Sequence, residues 1–474
     1  MQKINKKGAV TDKNIELMKL QGIQITGLFG LFDYNIGLND EGELTILTGP
    51  NGYGKTTILN IIYSLFNQRF FYFQKLNFES VSFYFEGGKR IDVSKKEGKV
   101  KPEQSVRMVN NQPQVYVQQV PTTEVLLQLF ENSSRPTESF LYNSDIESKL
   151  VNELGKYVPM QRISQNTVLD NAGRQTSLRD FLINNIAYLP VKIINFIKSQ
   201  GSDKIFELLN SVNVYIIKEE RLLTQTQNRN QNISFDRTIE KYSEELRRVI
   251  EQKQIQAYQM TQQLDSSFPK RLIERKDSLS ETDFNARFEQ LKEKQRMLQT
   301  FGISMTDGIS TTEQDVAEYS ENTAKVLTVY LEDSEKKVGV YDDLLNKIEL
   351  FVNILNEKHF AFKSIKINGN QGFYFQSDNG QKLSLSDLSS GEQHEIVLLY
   401  ELLFRTNPNT LILIDEPEIS LHVLWQKAFI KDLQKIIAEV KQISFLVATH
   451  SPQIINDNWD LAYDLFNLAG METD

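Results

Sequence analysis

Apolar residues recur along this chain with two periods, and the switches between them mark its parts. Leu44-Thr45-Ile46-Leu47 is a short apolar run with β-branched residues and predicts a buried strand. Ile58–Phe66 has helical spacing. Ile23–Phe29, Leu31–Ile36, Ser80–Phe85 and Arg90–Val93 read as strands, the last two joined around Gly87-Gly88. Val115–Val117 and Val212–Ile217 add two more, and residues 122–201 mix helical patterns with loops. Between Thr238 and Leu264, Ile239, Tyr242, Leu246 and Val249 stand three or four apart among Glu, Lys, Gln and Arg. That spacing predicts an antiparallel helical arm, which Pro269 breaks. Phe284–Leu298 and Glu313–Asn356 supply its returning helices. Ile365–Ile367 and Gly372–Phe375 form a hairpin around Asn368-Gly369-Asn370. Helix Glu395–Phe404 and the buried strands Leu411–Ile414 and Ile443–Ala448 complete an α/β pattern. The chain divides into an N-terminal lobe (1–230), a helical arm (231–360) and a C-terminal lobe (361–474).

The chemistry sits where these elements meet. Gly49-Pro50-Asn51-Gly52-Tyr53-Gly54-Lys55-Thr56-Thr57 lies between the strand at 44–47 and the helix at 58–66. In that context the glycines let backbone N–H groups curl around phosphates, and the helix N-terminus faces the same anion. Lys55 then reaches the β- and γ-phosphates of ATP, and the Thr56 hydroxyl ligates Mg²⁺. Leu388-Ser389-Ser390-Gly391-Glu392-Gln393 opens the helix at 395–404, with Ser389 and Ser390 as caps. The strand at 411–414 ends in two carboxylates: Asp415 is placed to hold Mg²⁺ with Thr56, and Glu416 to orient or deprotonate the attacking water. The next strand delivers Thr449-His450, and a histidine there reads as a γ-phosphate sensor. Phe29 and Phe32 are either core residues or a stacking surface for adenine.

Composition adds exclusions. The chain has 474 residues, 40% of them hydrophobic and 24% charged, as in an ordinary globular protein. Without cysteine there is no disulfide, thiolate nucleophile or cysteine metal site, which suits a reducing cytoplasm. No run of residues is apolar enough to span a membrane. The net charge of −9 opposes a uniformly nucleic-acid-binding surface and leaves direct nucleic-acid binding to a local basic patch. Lys95–Lys101, read as a solvated loop, and Arg247-Arg248 are the candidates for such a patch.

Gly49–Thr56, Leu388–Glu392 and Leu411–Glu416 resemble the Walker A, signature and Walker B motifs of ABC-type ATPase heads of the SMC/RecF/OLD group. Ser420-Leu421-His422 resembles the D-loop and His450 the switch histidine. The resemblance implies a P-loop ABC-type head carrying β-rich and helical insertions. It also implies homo-oligomers in which ATP is sandwiched between heads, with Ser389 and Gly391 acting in trans. Glu220-Arg221-Leu222 departs from the Gln-Arg-Leu often found at the Q-loop. About 330 residues, 58 to 387, separate Walker A from the signature, which fits a modest helical insertion. Only 24 residues follow His450, so any nuclease is expected to be a separate protein. In size and layout the chain is similar to stand-alone anti-phage defence ATPases, AriA of the PARIS system first and PtuA of Septu second. That similarity implies a sensor and scaffold that releases a nuclease effector, TOPRIM in AriA systems and HNH in PtuA systems. The trigger would be a phage protein such as a DNA mimic. The competing expectation is a RecF/SMC-like DNA-binding repair or maintenance ATPase.

Overall fold

The computed structural model describes residues 18–38, 43–109, 112–143, 145–146, 161–162, 167–169, 175–177, 203–218, 221–227, 233–303, 323–358, 360, 362–440 and 442–469. Two compact units form, each from discontinuous segments, where sequence patterning divides the chain into three consecutive parts. One unit comprises Met1–Glu219, Asn407–Ile419 and Val440–Asp474, and the other comprises Glu220–Thr406 and Ser420–Glu439. The C-terminal third is shared between them, because β-strands at 410–415 and 443–448 join a sheet begun near residue 44 while the helix connecting them does not.

In the first unit, β1 (Leu20–Leu28), β2 (Phe32–Gly37), β4 (Ser80–Phe85), β5 (Lys89–Val109), β6 (Gln112–Glu131) and β7 (Glu138–Tyr142) make an antiparallel sheet of order β2-β1-β4-β5-β6-β7. A second sheet is wholly parallel, with order β11-β17-β18-β3-β19. Its strands are β3 (Leu44–Thr48), β11 (Asn213–Ile217), β17 (Thr410–Asp415), β18 (Ile443–Ala448) and β19 (Ala462–Asp464). Every residue of β3 and β17 is buried, as the continuous apolar runs require of central parallel strands. Helix α1 (Lys55–Phe66) contributes Ile58, Leu59, Ile61, Ile62 and Leu65, all 0% exposed, to the core between the sheets. Helix α2 (Phe71–Lys75) and helix α3 (Asp203–Asn210) join the same core. Short strands β8 (Gln161–Arg162), β9 (Thr167–Leu169) and β10 (Gln175–Ser177) form a separate small sheet.

Two expectations are corrected here. Residues 95–101 lie within β5 and are not a loop. The ladder with β6 runs from Lys89↔Glu131 to Val109↔Gln112, so backbone pairing carries the strand through the lysines, with one irregularity between Glu97 and Val100. Residues 122–142 are strand and turn where helical patterns were expected. Val125, Leu127 and Leu129 pair across to Tyr142, Phe140 and Glu138 of β7, a ladder that a helix cannot make.

The second unit carries the arm. It contains the hairpin β12 (Leu223–Gln227) and β13 (Ile233–Arg237), helix α4 (Thr238–Glu274), helix α5 (Glu281–Thr300), helix α6 (Ala324–Gly339) and helix α7 (Asp342–Glu357). A three-stranded sheet follows, β14 (Lys363–Asn368), β15 (Gly372–Ser377) and β16 (Lys382–Leu383), then helix α8 (Ser390–Phe404) and helix α9 (Val423–Glu439). Pro269 does not end α4, contrary to expectation. The turn before it is held by side chains: Ser266 and Ser267 donate to the Gln263 carbonyl, and the Arg271 guanidinium donates to the Leu264 carbonyl at 2.7 Å. Arg271 is in turn paired with Asp333 on α6, so tertiary contacts offset the proline's missing donor.

At the root of the arm, Tyr242 of α4 stacks on Tyr400 of α8 with centroids 4.6 Å apart. The Tyr242 hydroxyl donates to the buried Glu401 carboxylate and accepts from Arg405 at 2.9 Å. Burial, with Glu401 beside it, pushes the phenol well above its usual range, so Tyr242 stays a neutral donor. Among the described residues no helix is long and apolar enough to cross a membrane. Tyr242→Phe should leave the stack intact but deprive Glu401 of this donor, lowering stability by about 1–3 kcal/mol in urea unfolding of the whole chain. An unchanged midpoint would show that Arg405 alone satisfies the carboxylate.

Candidate functional site

Strand order brings the first unit's chemistry to one edge. β18 lies between β3 and β17 with Leu47, Ala448 and Asp415 in adjacent register, so the loops following all three strands emerge together. After β3, Gly49, Gly52 and Gly54 adopt φ of 137°, 91° and 87°, a region that side chains with a Cβ rarely occupy. At Gly54 a Cβ would also stand 3.0 Å from Leu28. The Lys55 ammonium is buried and donates to the carbonyls of Gly49 and Pro50 at 2.7 and 3.1 Å. Those carbonyls occupy it as phosphate oxygens would. Burial pulls Lys55 below its ordinary range, while Glu416, Glu418 and Asp415 oppose the shift, in that order.

The Thr56 hydroxyl donates to the Asp415 carboxylate at 3.0 Å, across 359 positions of sequence. A hydroxyl and a carboxylate at that spacing offer two of the hard oxygen ligands that Mg²⁺ takes, with phosphate and water supplying the rest. Among the described residues no group of three His, Cys, Asp or Glu is arranged to hold a metal. Glu416 has φ of 44° and donates its N–H to the Ala448 carbonyl at 2.9 Å. The left-handed turn swings its carboxylate off the strand axis, to 3.9 Å from His450 Nδ1. Sequence motifs therefore place Gly49–Thr57, Asp415, Glu416 and His450 in one unit, at one end of one sheet.

Glu418, a residue without a role in the motif reading, is the anchor of this group. Its Oε1 accepts from Thr449 Oγ1 at 2.8 Å and from the His450 N–H at 2.9 Å, and stands 3.1 Å from His450 Nδ1. Glu418 lies in the turn after β17, three residues beyond Asp415, and no spacing in the sequence singles it out. Phe32 is core, packed 5.3 Å from the Tyr53 ring, which in turn lies 5.7 Å from Phe466. Phe29 is 38% exposed and its ring edge lies beside Gly54.

The signature segment belongs to the second unit. Ser389 is the N-cap of α8 in a complete capping box: its hydroxyl accepts from the Glu392 N–H, and Glu392 Oε2 accepts from the Ser389 N–H at 2.8 Å. Ser390 is the first residue of the helix. Lys363 of β14 pairs with the Glu392 carboxylate at 2.9 Å, a second residue that motif reading missed. A Cβ on Gly391 would stand 2.7 Å from the Ser420 carbonyl, so the signature helix and the D-loop-like turn touch backbone to side-chain-free backbone. Three charges lie buried behind this turn: Lys358 bridges Glu395 of α8 and Asp432 of α9. Further along α8, burial and the neighbouring Arg221 pull the His394 imidazole down to about 4. Glu220, proposed at the Q-loop, lies outside the described residues.

The two basic-patch candidates differ in how their charges are placed: Lys96 is exposed on β5, while the arginines on α4 lie beside glutamates. Arg247 pairs with Glu244 and Glu251, and Arg248 with Glu244. Lys95 lies over the Phe78 ring at 5.2 Å. The side chains of Lys99 and Lys101 lie outside the described set.

The profile of the AAA ATPase domain family matches residues 18–455, and the chain belongs to that family. It is an ATP-binding ATPase by that membership. No curated protein matches significantly. Among solved structures, the chain is similar to an Smc head domain with an extended coiled coil bound to the C-terminal domain of ScpA, from Pyrococcus furiosus. Identity is 11%, the TM-score 0.33, and 93% of this chain and 91% of that one are covered. It is also similar to the SMC head domain from Thermotoga maritima, at 13% identity, TM-score 0.30, and 94% and 92% coverage. An SmcHead bound to the C-winged helix domain of ScpA matches at 10% identity, TM-score 0.34, and 92% and 91% coverage. At these scores the overlays add nothing to the strand order given above.

Gly391→Ala should force the signature helix from the Ser420 carbonyl and destabilise the chain by about 1–3 kcal/mol, read by thermal or urea unfolding. Wild-type stability would mean that the two backbones separate without cost.

Proposed function

We propose that the chain hydrolyses ATP with Mg²⁺ at composite sites, the Walker A side of one copy facing the signature of another. The observation that carries this reading is the Thr56–Asp415 hydrogen bond, which ties the phosphate loop to the strand end bearing Glu416. Gly49–Thr57 would hold the phosphates, with Lys55 exchanging its bonds to the Gly49 and Pro50 carbonyls for phosphate oxygens. Thr56 and Asp415 would hold the metal, which neutralises phosphate charge when bound. Glu416 orients a water and takes its proton as the oxygen attacks the γ-phosphorus. The bond from that phosphorus to the β–γ bridging oxygen breaks, giving ADP and phosphate. His450 contacts the γ-phosphate region, and Phe29 supplies a face for adenine. From a second copy, Ser389, Ser390, Gly391 and Glu392 would complete the site, where the α8 N-terminus favours an anion.

We further propose a role as sensor and scaffold of an anti-phage system, holding a separate nuclease and releasing it on meeting a phage protein. This rests on the similarity in motif order to the stand-alone defence ATPases.

Lys55→Ala should abolish ATP binding in calorimetry, and an unchanged affinity would remove the phosphate-loop assignment. Glu416→Gln should bind ATP and turn over about 10²-fold more slowly, with normal turnover placing the base elsewhere. Mixing Ser389→Arg with Lys55→Ala protein should restore part of the activity if copies share sites, since one intact pair of half-sites then forms; no rescue at any ratio would exclude sharing. Co-purification of the neighbouring gene's nuclease tests the scaffold role. Salt-sensitive, ATP-dependent duplex binding by the chain alone would favour the maintenance-ATPase reading.

A further inference from the structure

We infer that Glu418 is a positioning residue that fixes the ring orientation and tautomer of His450; the functional consequence rests on the ATPase reading above. Its Oε1 accepts from the His450 N–H at 2.9 Å, and a backbone N–H can only donate. Thr449 Oγ1 lies 2.8 Å from the same oxygen. An oxygen so engaged is an acceptor, so the imidazole Nδ1, 3.1 Å away, carries a proton and donates it. Nε2 is thereby left as the nitrogen turned to other partners, on a side chain that is 47% exposed. Glu418 is itself 8% exposed, so its geometry is set by the fold and not by solvent.

The same carboxylate joins two loops. Glu418 follows β17 and Thr449-His450 follow β18, and Thr449 also donates its N–H to the Leu47 carbonyl at 3.0 Å. Glu416, two residues earlier, lies 3.9 Å from the ring, too far for a hydrogen bond. The two carboxylates therefore divide the work: Glu418 holds the histidine, and Glu416 remains available to water. A carboxylate that accepts a histidine Nδ1–H acts through the imidazole, setting which nitrogen is presented and where.

Nitrogen NMR of the full chain, labelled at its four histidines and assigned with His450→Gln, reads the tautomer directly. Wild type at neutral pH should show His450 protonated at Nδ1, and Glu418→Gln should lose that preference. A wild-type His450 protonated at Nε2 alone overturns the inference, whether or not any variant folds. In steady-state assays Glu418→Gln should lower kcat by about 10²-fold with KM for ATP little changed. Glu418→Gln combined with His450→Ala should fall no further than His450→Ala alone, within about twofold. Independent losses, or a kcat of Glu418→Gln equal to wild type, would overturn it. A wild-type chain that hydrolyses no ATP but shows Nδ1-protonated His450 would overturn the ATPase reading and leave the positioning role standing.

Discussion

The candidate site depends on one constraint, the placement of β18 between β3 and β17 in an all-parallel sheet. Parallel pairing forces the C-terminal ends of neighbouring strands to the same edge. With Leu47, Ala448 and Asp415 in register, the phosphate loop, the histidine and the paired carboxylates are brought together from segments hundreds of residues apart. The Thr56–Asp415 bond and the Glu418 contacts are then local consequences of that register. A slip of one residue in β18 would turn every one of its side chains to the opposite face.

Much of this was legible in the sequence because the signals are local. A glycine loop with Lys55 and Thr56 between an apolar run and a helical stripe needs only nearby residues to be read. So does a run ending in Asp415-Glu416, and the structure puts both in one sheet. Capping at Ser389 was legible for the same reason, since the box closes within four residues. The roles of Glu418 and Lys363 were not legible. Each acts through a partner on a different element, and neither stands in a pattern that spacing reveals. The same limit explains the misreadings. Pro269 breaks an isolated helix, but here Arg271 and Asp333 bridge the gap, and Lys95–Lys101 are polar enough for a loop until β6 pairs with them.

In the second unit the signature segment is held by contacts from several elements. Lys363 fixes the Glu392 side of the cap, Gly391 seats the helix on Ser420, and Lys358 locks α8 to α9. Tyr242 ties the arm's first helix to the same α8. The α8 N-terminus is thus held from three sides, with its first-turn amide groups directed by the helix.

The arm is joined differently from the sheets. Its helices bury Phe284, Phe288, Leu291 and Leu331, but their cross-links are ionic: Arg271 to Asp333, Arg275 to Glu332, and Arg287 to Glu335. These pairs are in direct contact and mostly buried, well inside the separation of about 8 Å beyond which mobile ions screen charges at physiological strength. The arm thus holds its register through directional charge pairs that fix which helix faces which, whereas the head's sheet holds its register through backbone pairing.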